Sequence, residues 1–103
     1  MTATNSSTYA WIITRDHLWP MEGLDIPSRV GTCGPSGATP EQARTKGRAW
    51  RVRDDDGEVY YSGRIWAAER GSEDDFGPLD DFGGPDAGAV EIQYREAGKW
   101  VTL

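Results

Sequence analysis

Cysteine and histidine are nearly missing from this chain. Its 103 residues hold one of each, Cys33 and His17. A lone cysteine excludes an internal disulfide, which fits a reducing cytoplasm. No stretch approaches the ~20 apolar residues needed to cross a membrane as a helix. The opening MTATNSSTYAWII lacks the basic start and apolar run of a signal peptide, and residues 1–7 read as a disordered polar tail. Cations are outnumbered, 11 Lys and Arg against 17 Asp and Glu. The net charge of −6 argues against non-specific adhesion to DNA or anionic lipid. The glycine-rich GPSGAT lacks the lysine of a phosphate-binding Walker loop. Its lead into a helix start leaves only a weak case for anion binding.

Aromatic residues are plentiful. Trp11, Trp19, Trp50, Trp66 and Trp100 are joined by four tyrosines and two phenylalanines. Each large ring can bury roughly 150–250 Å², so the tryptophans are expected to supply much of one modest core. The charge is unevenly placed. Residues 1–53 carry seven basic and four acidic groups, residues 54–86 carry two and eleven, and residues 87–103 are neutral. The middle of the chain therefore sets the sign of the whole.

The elements follow from pattern and punctuation. TYAWIITR (Thr8–Arg15) is β-branched and aromatic and reads as a strand. A long irregular connection rich in proline and glycine follows. TPEQARTKG (Thr39–Gly47) reads as a short helix: Thr39 to cap, Pro40 at the first turn, Gln42 to complete a capping box, and Gly47 to take a left-handed end. Arg48–Asp54 and Glu58–Ala67 read as strands joined at Asp56-Gly57, a two-residue hairpin signal. Gly63 marks a bulge in the second of them. Ala89–Arg95 places Val90, Ile92 and Tyr94 on one face, and Lys99–Leu103 closes a last hairpin. The expected fold is α+β, a single domain over residues 8–103. It has a twisted, mostly antiparallel sheet of about five strands and one short helix.

EDDFGPLDDFGGPD, from Glu73 to Asp86, is the most charged stretch. Phe76, Leu79 and Phe82 recur every third residue and are expected to dock on the sheet while Asp74, Asp75, Asp80 and Asp81 stay in water. The same acids could form an electronegative patch for a basic groove, since attraction and steering depend on where charge is placed. The DDDG at Asp54–Gly57 fails as a calcium loop, because the first position is Val52 and the twelfth is Gly63. No metal site or cofactor is expected. The tripeptide DFG lacks every other part of a kinase. Cys33 and His17 would form a thiol enzyme only if brought together, and nothing in the spacing does so. Arg44, Lys46, Arg48, Arg51 and Arg53, with Trp50 between them, make the one basic cluster. Single-strand binders combine such groups, but neighbouring acids are expected to pair with some of them.

The segments YAWIITRDH (Tyr9–His17), TCGPSGA (Thr32–Ala38), DDDGEVYYSGR (Asp54–Arg64) and PLDDFGGPDAG (Pro78–Gly88) resemble a family of small acidic actinobacterial proteins. Many of these are carried on plasmids and prophages. This chain inserts Cys33 in the second motif and has Asp86 where the family has asparagine. The resemblance implies a cytoplasmic accessory protein of a mobile element, and it brings no catalytic residue, substrate or cofactor with it.

The expectation is therefore a non-enzymatic acidic interaction module, acting as an accessory or inhibitor protein. Its contacts would be Asp74, Asp75, Asp80, Asp81 and Asp86, extended by Asp54 and Asp55 and supported by Phe76 and Phe82. The partner would be a protein, one that handles nucleic acid. Direct nucleic-acid or anionic-ligand binding through Arg48, Arg51, Arg53 and Trp50 is the second reading, and a thiol enzyme using Cys33 the third.

Overall fold

The computed structural model describes residues 9–20, 22–23, 25–35, 40–68 and 73–103. The expected tail, 1–7, and the expected cap at Thr39 lie outside them. The fold is α+β: a small domain built on one antiparallel sheet of six strands in the order β2-β1-β4-β3-β5-β6. The strands are β1 (Tyr9–Asp16), β2 (Cys33–Gly34), β3 (Arg48–Arg53), β4 (Val59–Ala67), β5 (Glu91–Glu96) and β6 (Lys99–Thr102). Five follow the β-branched and aromatic runs. The sixth, β2, is two residues pairing with Trp11 and Ile12, too short to leave a sequence pattern.

Alternation along the strands defines two faces. The inner face gathers Trp11 and Ile13 of β1, Trp50 and Val52 of β3, Tyr61 and Ile65 of β4, and Ile92 and Tyr94 of β5 into one buried cluster. Trp11 and Trp50 meet edge to face, with centroids 6.2 Å apart. The aromatic count overstates the core, however. Trp66 and Trp100 are half-buried, and Trp19 is 49% exposed with its indole N–H given to the Ile26 carbonyl. Val90 also departs from expectation. It precedes β5, stands 60% exposed, and its backbone N–H bonds to the Arg53 carbonyl rather than its side chain joining Ile92 and Tyr94.

The short helix is α1 (Glu41–Lys46), which packs its buried Ala43 toward β1 and β4. Gly47 does not take the left-handed conformation expected of it; its φ is −79° and the chain runs straight into β3. Glycine is required there for space, because a Cβ would strike the Ala43 and Ile65 carbonyls. The β3–β4 turn is also not the expected two-residue form. Gly57 has φ 86°, but Asp56 does not share a positive φ. The Gly57 N–H closes on the Asp54 carbonyl instead, and the register slips between Val52 and Arg53. The bulge expected at Gly63 of β4 lies instead on the facing strand. The β1–β4 register shifts between Ile13 and Arg15, leaving Thr14 as the extra residue opposite Gly63 and Ser62, and glycine is needed at 63 for space beside the Ile12 carbonyl. A turn with two positive φ values occurs at Ala97 and Gly98 (51° and 81°), between β5 and β6.

The acidic stretch is not an irregular loop. It winds through a tight turn (Glu73–Phe76), a wide turn (Leu79–Gly83) and α2 (Gly84–Ala87), forming a helical belt across the inner face. Pro78 and Pro85 stand near the starts of the wide turn and α2, where a missing N–H costs least. Gly88 ends the belt at φ 78° and returns its N–H to Gly84.

Candidate functional site

The belt is held by its carboxylates as much as by its rings. Phe82 docks as expected, lying 5.9 Å from the Trp11 ring and 5.4 Å from the Tyr61 ring. Leu79 packs against the same core. Phe76 does not dock; it is 37% exposed. The three-residue spacing assumed a regular turn, and the change from tight to wide winding breaks that phase.

The acids expected to lie in water divide into two groups. Asp75 is 4% exposed and accepts the Arg48 guanidinium at 2.8 Å. Its backbone carbonyl also accepts the Tyr94 hydroxyl at 2.6 Å, and the Arg48 guanidinium lies 4.2 Å above the Tyr94 ring. Asp75 is therefore an internal anchor, and the expectation that it meets a partner is corrected. Asp86 accepts the Tyr61 hydroxyl at 2.7 Å and faces Arg29 at 3.6 Å. Asp81 is exposed, yet its carboxylate takes the Tyr9 hydroxyl at 2.7 Å and the Trp11 indole N–H at 3.0 Å. Asp75, Asp81 and Asp86 each hydrogen-bond this belt to the strands beneath.

Asp74 is half-buried and Asp80 is exposed. Both act on the Tyr9 phenol. Burial and then the Asp81 hydrogen bond hold the Tyr9 proton well above the usual tyrosine range, and Asp81, Asp74 and Asp80 all add negative potential there. Three belt carboxylates thus converge at one end of the belt. Asp81 is locked by its bonds to Tyr9 and Trp11, and Asp80 is its chain neighbour.

Asp54 and Asp55 belong to the turn at another corner. Asp54 accepts the N–H groups of Asp56 and Glu58, each at 2.9 Å, and the Tyr60 hydroxyl at 3.1 Å. Those bonds, the one from Glu58 foremost, hold its carboxyl below the ordinary range. The carboxylates of Asp54, Asp55 and Asp56 approach within 4.8 Å of one another. The bonds to Asp54 already account for that grouping as a turn.

The other candidates separate. Arg48 and Trp50 point to the inner face, Arg48 into its pair with Asp75 and Trp50 to 1% exposure. Arg51 and Arg53 point to the outer face. The proposed basic cluster therefore divides between opposite sides of the sheet, as strand alternation requires. His17 shares a hydrogen bond of 2.9 Å with the Ser62 hydroxyl. Cys33 lines a different groove of about 300 Å³ with Trp11, Asp81 and Phe82. His17 lies outside that groove, so the thiol enzyme reading has no support from the geometry of the described residues. A second cleft of about 310 Å³ lies between the irregular connection and the belt, with Arg29, Tyr60, Tyr61 and Asp86 on its walls.

The sequence pointed to the belt but missed what holds it: Tyr9, Trp11 and Tyr61 as donors, and Arg29 and Arg48 as cations. A signal was available, because ring hydroxyl and indole N–H groups in a core seek acceptors. Among the described residues no helix is long and apolar enough to cross a membrane. Compared with known proteins, the chain matches no family model, no curated protein and no solved structure, and so the site rests on its own geometry.

Proposed function

We propose that this protein is a non-enzymatic interaction module that offers a fixed acidic ridge to a basic partner protein. The ridge is the end of the belt carrying Asp74, Asp80 and Asp81. The observation behind this reading is the convergence of those carboxylates on Tyr9, on a belt tied down at Asp75, Asp81 and Asp86. A charge held in place costs less side-chain entropy on association than one on a mobile loop. A groove shaped for a nucleic-acid backbone suits such a ridge, and this gives the protein an accessory or inhibitory role of the kind the resemblance implies, in the cytoplasm.

The test uses Asp74→Asn combined with Asp80→Asn, which spares the three anchors. Wild-type protein immobilised on resin should retain a basic protein from the source cell at low salt and release it as salt rises, because exposed charges are screened over ~8 Å at physiological ionic strength. The double variant should lose that protein or bind it at least tenfold more weakly. Equal retention by both would refute the proposal.

A further inference from the structure

The outer face of the sheet carries the opposite charge. One register row runs across it through Arg15 of β1, Ser62 of β4, Arg51 of β3, Gln93 of β5 and Thr102 of β6. At ~4.8 Å between neighbouring strands, the row is about 19 Å long. Its middle is built rather than incidental. The Arg51 side-chain N–H bonds to the Gln93 carbonyl oxygen at 2.7 Å, and the Gln93 amide bonds onward to Thr102 at 2.8 Å. Gln93 is 6% exposed, so this link is shielded from water. The Arg51 guanidinium lies 4.2 Å from the centroid of the Trp100 ring, and Arg95 lies 5.8 Å from the same centroid.

These cations are only partly compensated. Among the described residues Arg15, Arg51 and Arg95 have no ion-pair partner; Glu91 is taken by Arg53, and Glu96 faces Arg48. Arg53 and Arg95 act repulsively on Arg51, against a smaller attraction from Glu91, and Arg15 and Arg51 act repulsively on His17, against an attraction from Asp16, in each case after a larger effect of burial. Like charges gathered on an open face of a protein with net charge −6 are unfavourable until an anion joins them. The acidic belt lies on the opposite side of the sheet. Layers pack roughly 10 Å apart, beyond the ~8 Å screening length, so the belt does not cancel this face.

We propose that this outer face binds single-stranded nucleic acid. Arg15, Arg51 and Arg95 would neutralise successive phosphates, and the layered Arg51 and Trp100 would provide a flat surface for a base. Guanidinium and indole planes stack any base, whereas a sheet surface cannot follow the buried base edges of a duplex. The second reading drew on Arg48, Arg51, Arg53 and Trp50; Trp50 is buried and Arg48 is paired with Asp75, so of that set only Arg51 and Arg53 reach this face. The outer face draws its groups from four different strands, so no local cluster announced it.

The experiment measures fluorescence anisotropy of labelled dT15 titrated with the full chain from 50 to 200 mM salt, beside a duplex of equal length. Three phosphate contacts predict a slope of about −2 in log affinity against log salt, a loss of roughly 20-fold over that range. The duplex should bind at least tenfold more weakly. Arg51→Gln with Arg95→Gln should reduce the slope by about 1.4, and Arg15→Gln alone by about 0.7. Arg15 is exposed, so its variant stays informative if another fails to fold. Trp100→Leu should weaken binding about tenfold at unchanged slope. Asp74→Asn with Asp80→Asn should bind dT15 as well as wild type or better, which separates this site from the acidic ridge. Absence of dT15 binding at 50 mM salt, equal affinity for the duplex, or a slope indifferent to all three arginines would overturn the proposal.

Discussion

Replacing Asp75 by alanine leaves the Arg48 guanidinium facing the inside of the belt with its main counter-charge gone. The Asp75 side chain is 6% exposed and that of Arg48 is 17% exposed, so water reaches the vacated pair poorly. Removing one member of a buried pair costs about 3–5 kcal/mol, chiefly because the survivor stays buried and charged. Two features move this case toward the lower end. Glu96 remains 3.8 Å from Arg48, and the Tyr94 ring still lies beneath the guanidinium. The expected loss is about 3 kcal/mol, a large part of the ~5–15 kcal/mol that stabilises a small domain. Urea unfolding followed by tryptophan fluorescence and far-ultraviolet circular dichroism would read it. With a slope near 1.2 kcal/mol per molar, typical of a small domain, the midpoint should fall by about 2.5 M. Combining Asp75→Ala with Arg48→Met should restore part of the loss, because the stranded charge goes too, giving a coupling of about 1–3 kcal/mol. A loss under ~1 kcal/mol, or a double variant at the sum of the singles, would refute the claim that this pair anchors the belt.

The tyrosines give a pH prediction. Burial, followed by the charge of Asp75, raises the Tyr94 pKa in the folded state. The folded protein then holds a proton that the unfolded chain releases near pH 10. That contribution to stability is complete below about pH 10 and falls as pH rises beyond it, by up to ~1.4 kcal/mol per pH unit. Tyr94→Phe should flatten the alkaline fall and cost about 1–2 kcal/mol at neutral pH through its lost bond to the Asp75 carbonyl; thermal melts at pH 7, 10 and 11 would show both. Gly63→Ala should abolish soluble folded protein, since a Cβ there collides with the Ile12 carbonyl and the Trp50 indole; recovery of a native circular dichroism spectrum would contradict this. Asp81→Asn should bring the Tyr9 titration back toward the ordinary range, though only in part, since burial is the larger cause; ultraviolet titration against a Tyr9→Phe control would follow it.

The strands were legible because each is long enough to show alternation, and Trp50, Val52, Ile92 and Tyr94 point inward as read. The helical belt was not. Two Gly-Pro pairs and six charged residues within Glu73–Asp86 argue locally for a loop. The winding is set by tertiary bonds from Tyr9, Trp11, Arg48 and Tyr61, three of them on strands more than 25 residues away in the chain. The aspartates were assigned to solvent on composition alone. Whether a carboxylate faces water depends on which donors the fold brings beneath it, and no window of sequence holds both partners. The division of the basic run is the reverse case. Alternation already sends Arg48 and Trp50 to one side and Arg51 and Arg53 to the other.

Hydrogen exchange of the belt amides tests the central claim most directly, because the acidic ridge exists only if its aspartates fix it to the sheet. The amides of Gly88, Ala89 and Val90 donate to Gly84, Gly83 and Arg53. In wild type they and the amides of residues 79–83 should exchange slowly, with protection close to that of β3. In Asp75→Ala and Asp81→Ala that protection should fall while β1 and β4 keep theirs. Exchange of the wild-type belt at unstructured rates, or protection unchanged in both variants, would contradict the account.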